Sequence, residues 1–209
     1  MDGLAIKGIQ KKRKKMFEII KKENYKVSNW SGGSTSEIFL EPKNGSYSER
    51  VFDFRISSAT VELEESDFTP LAGVKRYLTT LEGDLDLTFQ EEESRKVLLK
   101  PYEVVCFMGD VPTHSVGKAK DFNLMLKGCE GKMHTFSGKE VALELKCNTE
   151  VFVYSLRDWT GEIEHAEVIV NGEDTLHLFG ISDETQLRIK SEKDNQWVII
   201  EVQYETNGI

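Results

Sequence analysis

The feature that most restricts the fold of this chain is a series of short apolar runs recurring every 8–12 residues from Ile38 onward. Gly, Asn, Asp and Pro separate the runs, which is the spacing of an antiparallel β-sandwich or barrel. Candidate strands lie at 37–42, 52–63, 74–83, 84–90, 94–100, 103–108, 121–128, 140–146, 151–156, 164–172, 174–180 and 196–203. No long helical pattern follows residue 30, so parallel βαβ folds with Rossmann or P-loop chemistry are disfavoured. The pattern predicts an all-β protein.

Dipeptides that suit tight turns separate several of these runs. They are Asn44-Gly45, Gly83-Asp84, Gly109-Asp110 and Asn171-Gly172, which place Gly or Asn where a hairpin needs a positive φ. Residues 4–26 lack a sustained apolar stripe and predict a helix or an irregular lead-in. We therefore expect tight turns at four positions and no chemistry in the lead-in.

A weak internal repeat suggests how the strands are divided. Residues 78–90 and 166–180 both show a strand, a Gly-containing turn and a second strand, which predicts two copies of one small barrel. The expected division is a flexible basic extension at 1–15, a first barrel at 16–128 and a second barrel at 129–209. A chain of 209 residues buries enough surface to need neither a disulfide nor a metal for stability.

The charge of the chain is unevenly distributed. Lys and Arg number 27 against 36 Asp and Glu, for a net charge of −9. Residues 1–15 hold six bases and one acid, which leaves −14 for residues 16–209 and disfavours general nucleic-acid binding. The run KKRKK at 11–15 is either a nucleic-acid or membrane-surface patch or a solvated extension, and its lack of aromatic residues favours the extension. If translation starts at Met16, the extension is not part of the native protein.

Cysteine usage and hydropathy indicate the compartment. Cys106, Cys129 and Cys147 have no C-x-x-C spacing, so reduced thiols are expected. No run reaches about 18 apolar residues, and the N-terminus lacks the pattern of a signal peptide. The sequence predicts a cytoplasmic protein that does not contact a membrane.

The sequence also contains five longer motifs, in order: WSGGSTSEIF (30–39), FDFRISSATVE (52–62), FTPLAGVKRYLTTLEGDLDL (68–87), FMGDVPTHSVG (107–117) and DFNLML (121–126). Together they resemble the HutD/Ves family of bicupin-fold proteins. The family pattern W-x-x-G-x-T-x-E is intact as Trp30, Gly33, Thr35 and Glu37. The resemblance implies two tandem cupin-type antiparallel β-barrels packed as one unit. It also implies an accessory or regulatory role in bacterial histidine utilisation rather than a pathway enzyme.

The histidines do not form the usual metal motif of cupin barrels. Such barrels hold a metal with an H-x-H pair, a downstream Glu and a third His, because imidazole and carboxylate suit transition metals. His114, His134, His165 and His177 include no H-x-H pair, and the equivalent segment presents Arg76 instead of ligands. We therefore expect no tightly bound metal and no cofactor, with His114 as a turn or rim residue.

The motifs instead supply a polar set. On extended strands Arg55 and Ser57 share one face, and Asp121, Asn123 and Met125 share another. These faces meet either water or a polar cavity, and unpaired charges in a cavity would cost several kcal/mol each. An arginine fork fits a carboxylate, and Asn or Asp holds an amino or amide group. The candidate ligand-binding residues are Trp30, Thr35, Glu37, Arg55, Ser57, Glu62, Arg76, Asp121, Asn123 and Met125. Trp30 supplies either an aromatic wall or only an anchor for the first strand.

Three functions follow from these observations. The first is a non-catalytic protein that binds a small carboxylate metabolite of histidine degradation in its first barrel. The second is a metal-dependent or carboxylate-driven isomerase or hydrolase with His114 in the site. The third is an interacting subunit whose acidic surface meets a basic partner. A homodimer through exposed sheet edges is a further expectation.

Overall fold

A computed structural model of the protein describes residues 17–204. The predicted basic extension at 1–15, including its KKRKK run, lies outside the described residues. Within them the regular elements are β-strands and one 3₁₀ helix, Lys22–Asn24, and no helix is long and apolar enough to cross a membrane. The prediction of an all-β protein is confirmed. The part of the lead-in that the structure describes is not an α-helix but a strand, Phe17–Ile20, followed by this single turn.

The described chain contains seventeen strands. They are β1 (Phe17–Ile20), β2 (Lys26–Trp30), β3 (Gly33–Glu41), β4 (Phe54–Val61), β5 (Glu65–Asp67), β6 (Lys75–Glu82), β7 (Leu85–Phe89), β8 (Arg95–Leu99), β9 (Val105–Met108), β10 (Thr113–Val116), β11 (Ala119–Leu126), β12 (Glu130–Leu145), β13 (Thr149–Tyr154), β14 (Trp159–Ile163), β15 (Ala166–Val170), β16 (Thr175–Leu178) and β17 (Thr185–Gln203).

Two facing sheets form the first barrel. One has six strands in the order β2-β3-β4-β11-β6-β9, and the other has four in the order β5-β10-β7-β8. Side chains of β6, β7, β8 and β9, such as Leu78, Leu87, Leu99 and Phe107, pack between the two sheets. The polar faces of β4 and β11 point into the same interior.

A single seven-stranded sheet forms the second barrel. Its order is β1-β16-β13-β17-β14-β15, with β12 also paired to β17. Strand β1 joins this sheet, with Phe17 opposite Leu178, and Phe17 and Ile19 pack against the second core. The division of the chain after residue 128 remains a prediction, and the residues of β1 lie with the second sheet.

A third apolar cluster holds the two barrels together. Along β17, Trp197 and Ile199 point into the second barrel, whereas Val198 and Ile200 point to the first. This double burial explains why residues 197–200 are apolar without alternation. The opposing surface comes from β4, β6 and β11, whose side chains include Phe54, Ile56, Leu81, Phe122 and Leu124. The arrangement is consistent with two cupin barrels packed as one unit.

Three of the four predicted hairpin turns were wrong for a topological reason, whereas Asn44-Gly45 lies in the connection between the paired strands β3 and β4. Gly83 has a φ of 79°, yet β6 and β7 on either side of it lie in different sheets. Strands β9 and β10, on either side of Gly109, also lie in different sheets. Strand β15 does not pair with β16 across Asn171-Gly172. A two-residue hairpin instead joins β14 to β15 through Glu164 and His165, with φ values of 45° and 65°. Two successive positive φ angles are those of a type I′ turn.

Candidate functional site

The polar side chains of β4, β6 and β11 lie side by side in the interior of the first barrel. Asn123 is opposite Ser57, and Met125 is opposite both Arg55 and Arg76. All five side chains are buried, with exposures of 3–6%. The face that these strands present is therefore an interior one, and the alternative of a water-facing surface network is excluded.

Arg55 is bound by its neighbours through two of its three guanidinium nitrogens. Its Nε donates to Glu37 Oε2 at 2.7 Å, and its Nη1 donates to Ser57 Oγ at 2.9 Å. The guanidinium carbon lies 4.2 Å from the centre of the Tyr47 ring, within cation–π range. Since Glu37 neutralises its charge, we assign Arg55 a structural role in this wall of the barrel.

Arg76 lies in a different environment. Its side chain is buried, forms no salt bridge with a described residue, and its Nε has no acceptor among residues 17–204. Its guanidinium carbon is 4.8 Å from the Phe68 ring centre and 5.2 Å from that of Phe107. Burial lowers the pKa of Arg76 to about 10, against the opposing influence of the Tyr47 hydroxyl and Asp121. Arg76 therefore remains a cation at neutral pH without a direct counterion.

Acceptor atoms lie on the neighbouring strand. Asp121 Oδ1 accepts the backbone N–H of Ala59 at 3.2 Å, and burial raises the pKa of Asp121 to about 6 despite this bond and nearby arginines. The Oδ1 of Asn123 and the Oγ1 of Thr80, which is opposite Asp121 in register, have no partner within the described chain. Unused acceptors thus share the interior with the unused donors of Arg76.

The charges in this interior nearly balance. Arg55 and Arg76 supply two positive charges, and Glu37 and Asp121 supply two negative charges when Asp121 is ionised. Protonation of Asp121 leaves one excess positive charge. The interior can therefore take a zwitterion when Asp121 is ionised, or a single carboxylate when it is protonated.

Three predicted residues, Trp30, Thr35 and Glu62, lie apart from this cluster. Trp30 is on the edge strand β2, is 42% exposed, and donates from Nε1 to Thr35 Oγ1 at 3.2 Å. Glu62 is exposed just beyond the end of β4. The structure brings together the other seven predicted residues: Glu37, Arg55, Ser57, Arg76, Asp121, Asn123 and Met125. Their role in ligand binding remains a prediction.

Sequence reasoning missed the residues that surround the arginines. Tyr47 comes from the connection between β3 and β4, and Phe68 and Phe107 come from outside the two polar strands. The one signal for Tyr47 was an aromatic residue inside an otherwise polar connection. Thr80 gave no signal, because a threonine in an apolar strand is common.

The histidines are not near this cluster. His114 lies on β10 with its Nδ1 2.9 Å from Asp67 Oδ1, and both side chains are at least one-third exposed. His177 is buried between Glu18 and Glu150, at 3.2 Å and 2.8 Å. Within residues 17–204, no three His, Cys, Asp or Glu side chains are placed to share a metal ion. The expectation of no bound metal remains a prediction.

Two open grooves are alternatives to the barrel interior. One, of about 700 Å³, lies at the seam between the barrels beside Tyr102, Arg157 and Asn195. The other, of about 730 Å³, lies on the second barrel beside Trp159 and Arg157. Both are open to solvent and have charges of both signs in their walls. The barrel interior is the stronger candidate, because it contains a buried guanidinium that forms no salt bridge with a described residue.

Comparison with known proteins establishes the family. The HutD family model matches residues 22–198. The chain belongs to the HutD family. It is a cupin-like protein of a family linked to histidine utilisation.

Solved structures agree with this assignment. A conserved protein of unknown function from Pseudomonas aeruginosa PAO1 is 21% identical, with a TM-score of 0.79 over 90% of this chain and 98% of its own. HutD from Pseudomonas fluorescens SBW25 is 23% identical, with a TM-score of 0.71 over 90% and 99%. A cupin 2 conserved barrel domain protein from Leptotrichia buccalis is 12% identical, with a TM-score of 0.57 over 91% and 99%. Among proteins of curated function none matches this chain. At these identities the structures show the cupin-like fold of this HutD protein.

Proposed function

We propose that this HutD protein binds a small carboxylate metabolite of histidine degradation inside its first barrel and regulates that pathway without catalysing a reaction. The observation that carries the proposal is Arg76, a buried guanidinium without a counterion among the described residues. Burying an unpaired charge costs several kcal/mol. A ligand carboxylate would offset this cost with two parallel hydrogen bonds.

The acceptors on β11 and β6 narrow the class of ligand. Asn123 Oδ1 and Thr80 Oγ1 lack partners, and each can accept a hydrogen bond from an N–H group. A ligand that carries a carboxylate together with an amino, amide or formimino nitrogen would satisfy both ends of the site. Amino acids and their N-substituted derivatives have this composition.

No observation favours the enzymatic alternative. His114, the histidine expected in such a site, pairs with Asp67 on the four-stranded sheet and is not in contact with the polar cluster. We retain two further proposals: a cytoplasmic location, which rests on sequence alone, and a homodimer through open sheet edges such as β2 or β15.

A thermal-shift screen tests the proposed function. The compounds are histidine, urocanate, formiminoglutamate and formylglutamate, each added to the wild type and to Arg76→Met. A ligand present at 100 times its Kd adds about 2.7 kcal/mol of stability to the folded state. At least one compound should raise the melting temperature of the wild type and leave Arg76→Met unchanged, while Arg157→Met, in the seam groove, should respond as the wild type does. No shift with any compound, or equal shifts in Arg76→Met, would contradict the proposal.

A further inference from the structure

The proposed site is closed in this structure. Arg76, Asp121 and Asn123 are each at most 8% exposed. A ligand can therefore reach them only if part of the barrel wall moves. Two segments cover this end of the interior: residues 42–51, which include Tyr47, and residues 68–74, which include Leu71 and Val74.

The segment at 68–74 is tied to the barrel through its backbone. Phe68 N–H donates to Thr113 O at 2.9 Å, and Leu71 N–H donates to Gly109 O at 2.6 Å. Gly109 N–H returns a bond of 2.7 Å to Val74 O. Moving this segment would break three backbone hydrogen bonds to β10 and to the end of β9.

Residues 42–51, which we call the strap, are bonded mainly to themselves. Ser46 and Val51 exchange two backbone hydrogen bonds, and Gly45 N–H donates to Pro42 O. In the described chain, one hydrogen bond joins the strap to another element, from Lys127 Nζ to Arg50 O at 2.6 Å. The strap can therefore move as a unit while β3 and β4 keep their pairing.

Tyr47 is the part of the strap that enters the interior. It packs against the cluster formed by Phe52, Leu71, Val74 and Met125. Two guanidinium groups lie over its ring, those of Arg55 at 4.2 Å and Arg50 at 4.7 Å. Its hydroxyl has no hydrogen-bond partner among residues 17–204.

The register of the sheet gives the same placement. Met125, which belongs to the cluster that Tyr47 packs against, is opposite Arg76 on β6. Tyr47 therefore lies next to the part of the interior that holds Arg76.

We propose that the strap is the movable cover of the first barrel and that Tyr47 is the residue that controls access to Arg76. Outward movement of Tyr47 opens the interior, and its return encloses the ligand under the aromatic ring. The Arg55 contact holds the ring closed when the site is empty, whereas Arg50 belongs to the strap and moves with it. This inference rests on the proposed function for its biological meaning, but its physical content, a gated interior, can be tested without a ligand.

The test measures how fast a reagent reaches the interior. Ser57→Cys is introduced after Cys106→Ser, Cys129→Ala and Cys147→Ser have removed the native thiols. The probe is 2-sulfonatoethyl methanethiosulfonate, a small anion, and the readout is the rate of modification by mass spectrometry. If Ser57→Cys does not fold, Asn123→Cys on the paired strand β11 replaces it.

Tyr47→Ala should raise the modification rate about tenfold or more, because the ring's apolar burial and its cation–π contacts are lost. Tyr47→Phe should keep the slow rate, because the ring and not the hydroxyl closes the barrel. Tyr102→Ala, which removes a tyrosine between the barrels, is the control for general loosening. An unchanged rate in Tyr47→Ala, or an equal rise in Tyr102→Ala, would overturn the inference. Since the reagent needs no metabolite, a failed ligand screen and a failed gate are separate results.

Discussion

Two buried arginines lie in the same sheet of the first barrel, on the strands that flank β11, and their surroundings differ. Arg55 forms a salt bridge with Glu37 at 2.7 Å, whereas Arg76 lies against Phe68 and Phe107 without a counterion in the described chain. Replacing an unpaired buried ion with an apolar side chain of similar length removes its desolvation cost. Removing one member of a buried pair leaves the other charge uncompensated.

These environments predict opposite effects on stability for the same substitution. Arg76→Met should raise the free energy of unfolding of the ligand-free protein by about 1–4 kcal/mol, and Arg55→Met should lower it by about 3 kcal/mol. Equilibrium unfolding in guanidinium chloride at pH 7 measures both, and each variant serves as the control for the other. Equal destabilisation by the two variants would mean that Arg76 is paired in solution.

The raised pKa of Asp121 predicts that the free energy of unfolding depends on pH. Burial raises its pKa from 3.8 to about 6, so the folded protein binds this proton more tightly than the unfolded chain does. The stability that the protonated group provides is present at low pH and is lost as the pH rises through about 6. Asp121→Asn removes this loss, so its unfolding free energy relative to wild type should increase by on the order of 3 kcal/mol from about pH 4 to pH 7.

The measurement for Asp121 is a series of denaturant unfolding curves across this pH range. Asp86→Asn, at an exposed position of β7, is the matched control and should show no such trend. A difference between wild type and Asp121→Asn that does not vary with pH would show that the carboxylate stays ionised throughout.

At the residue scale, strand alternation placed the polar faces correctly but did not show whether they face solvent or a barrel interior. The pattern at 54–57 put Arg55 and Ser57 together opposite Phe54 and Ile56, as observed. The second barrel covers the apolar row of β4, so the polar row faces the interior of the first barrel. Strand alternation alone does not show which row is covered. Tyr47 was missed because its contact with Arg55 depends on how the strap folds back, and no local pattern encodes that.

Strand β1 is held to the second barrel by a histidine between two carboxylates. His177 on β16 has Nδ1 at 3.2 Å from Glu18 of β1 and Nε2 at 2.8 Å from Glu150 of β13. Its ring stacks on Phe152 with centres 4.2 Å apart. This one side chain thus connects three neighbouring strands.

His177→Phe should keep the stacking and lose both hydrogen bonds. We expect it to lower the free energy of unfolding by about 1–3 kcal/mol, because two partly buried carboxylates lose their polar contacts with the imidazole ring. Chemical denaturation measures the change, with His134→Phe, an exposed position on β12, as the control. No difference between the two variants would show that the carboxylates are satisfied by water.

At the scale of elements, the strand positions were more predictable than their connections. Most apolar runs became strands near their predicted positions, because period-two burial is a local property. The turn at Gly83 was misread, since a positive φ at Gly occurs both in hairpins and in connections between sheets. The hairpin at Glu164 and His165 was missed, because neither residue is the Asn or Gly that usually signals a type I′ turn.

At the scale of the whole molecule, the two barrels share the apolar cluster between them. Phe54 and Phe122 of the first barrel contact a surface that includes Phe152, Tyr154 and Val198 of the second. Because of this packing, the polar faces of β4 and β11 do not reach solvent through the second barrel. The sequence motifs predicted the fold, whereas the enclosure of Arg76 against Phe68 and Phe107 depends on contacts that the motifs did not reveal.

The net charge bears on ligand binding at this same scale. Residues 16–209 carry −14, so an anion approaches against the overall field of the protein. Affinity for an anion must therefore come from local donors in the interior. Arg76 is the one buried cation among residues 17–204 that lacks a salt bridge.

The most direct measurement is isothermal titration calorimetry of urocanate, formiminoglutamate and formylglutamate into the wild type and Arg76→Met. We expect saturable binding of at least one compound to the wild type with one site per chain. Affinity should fall at least about 100-fold in Arg76→Met, as expected when a charge-assisted pair worth about 3 kcal/mol is removed. Binding of equal strength to both proteins, or binding to neither, would contradict the claim that Arg76 holds a carboxylate ligand in the first barrel.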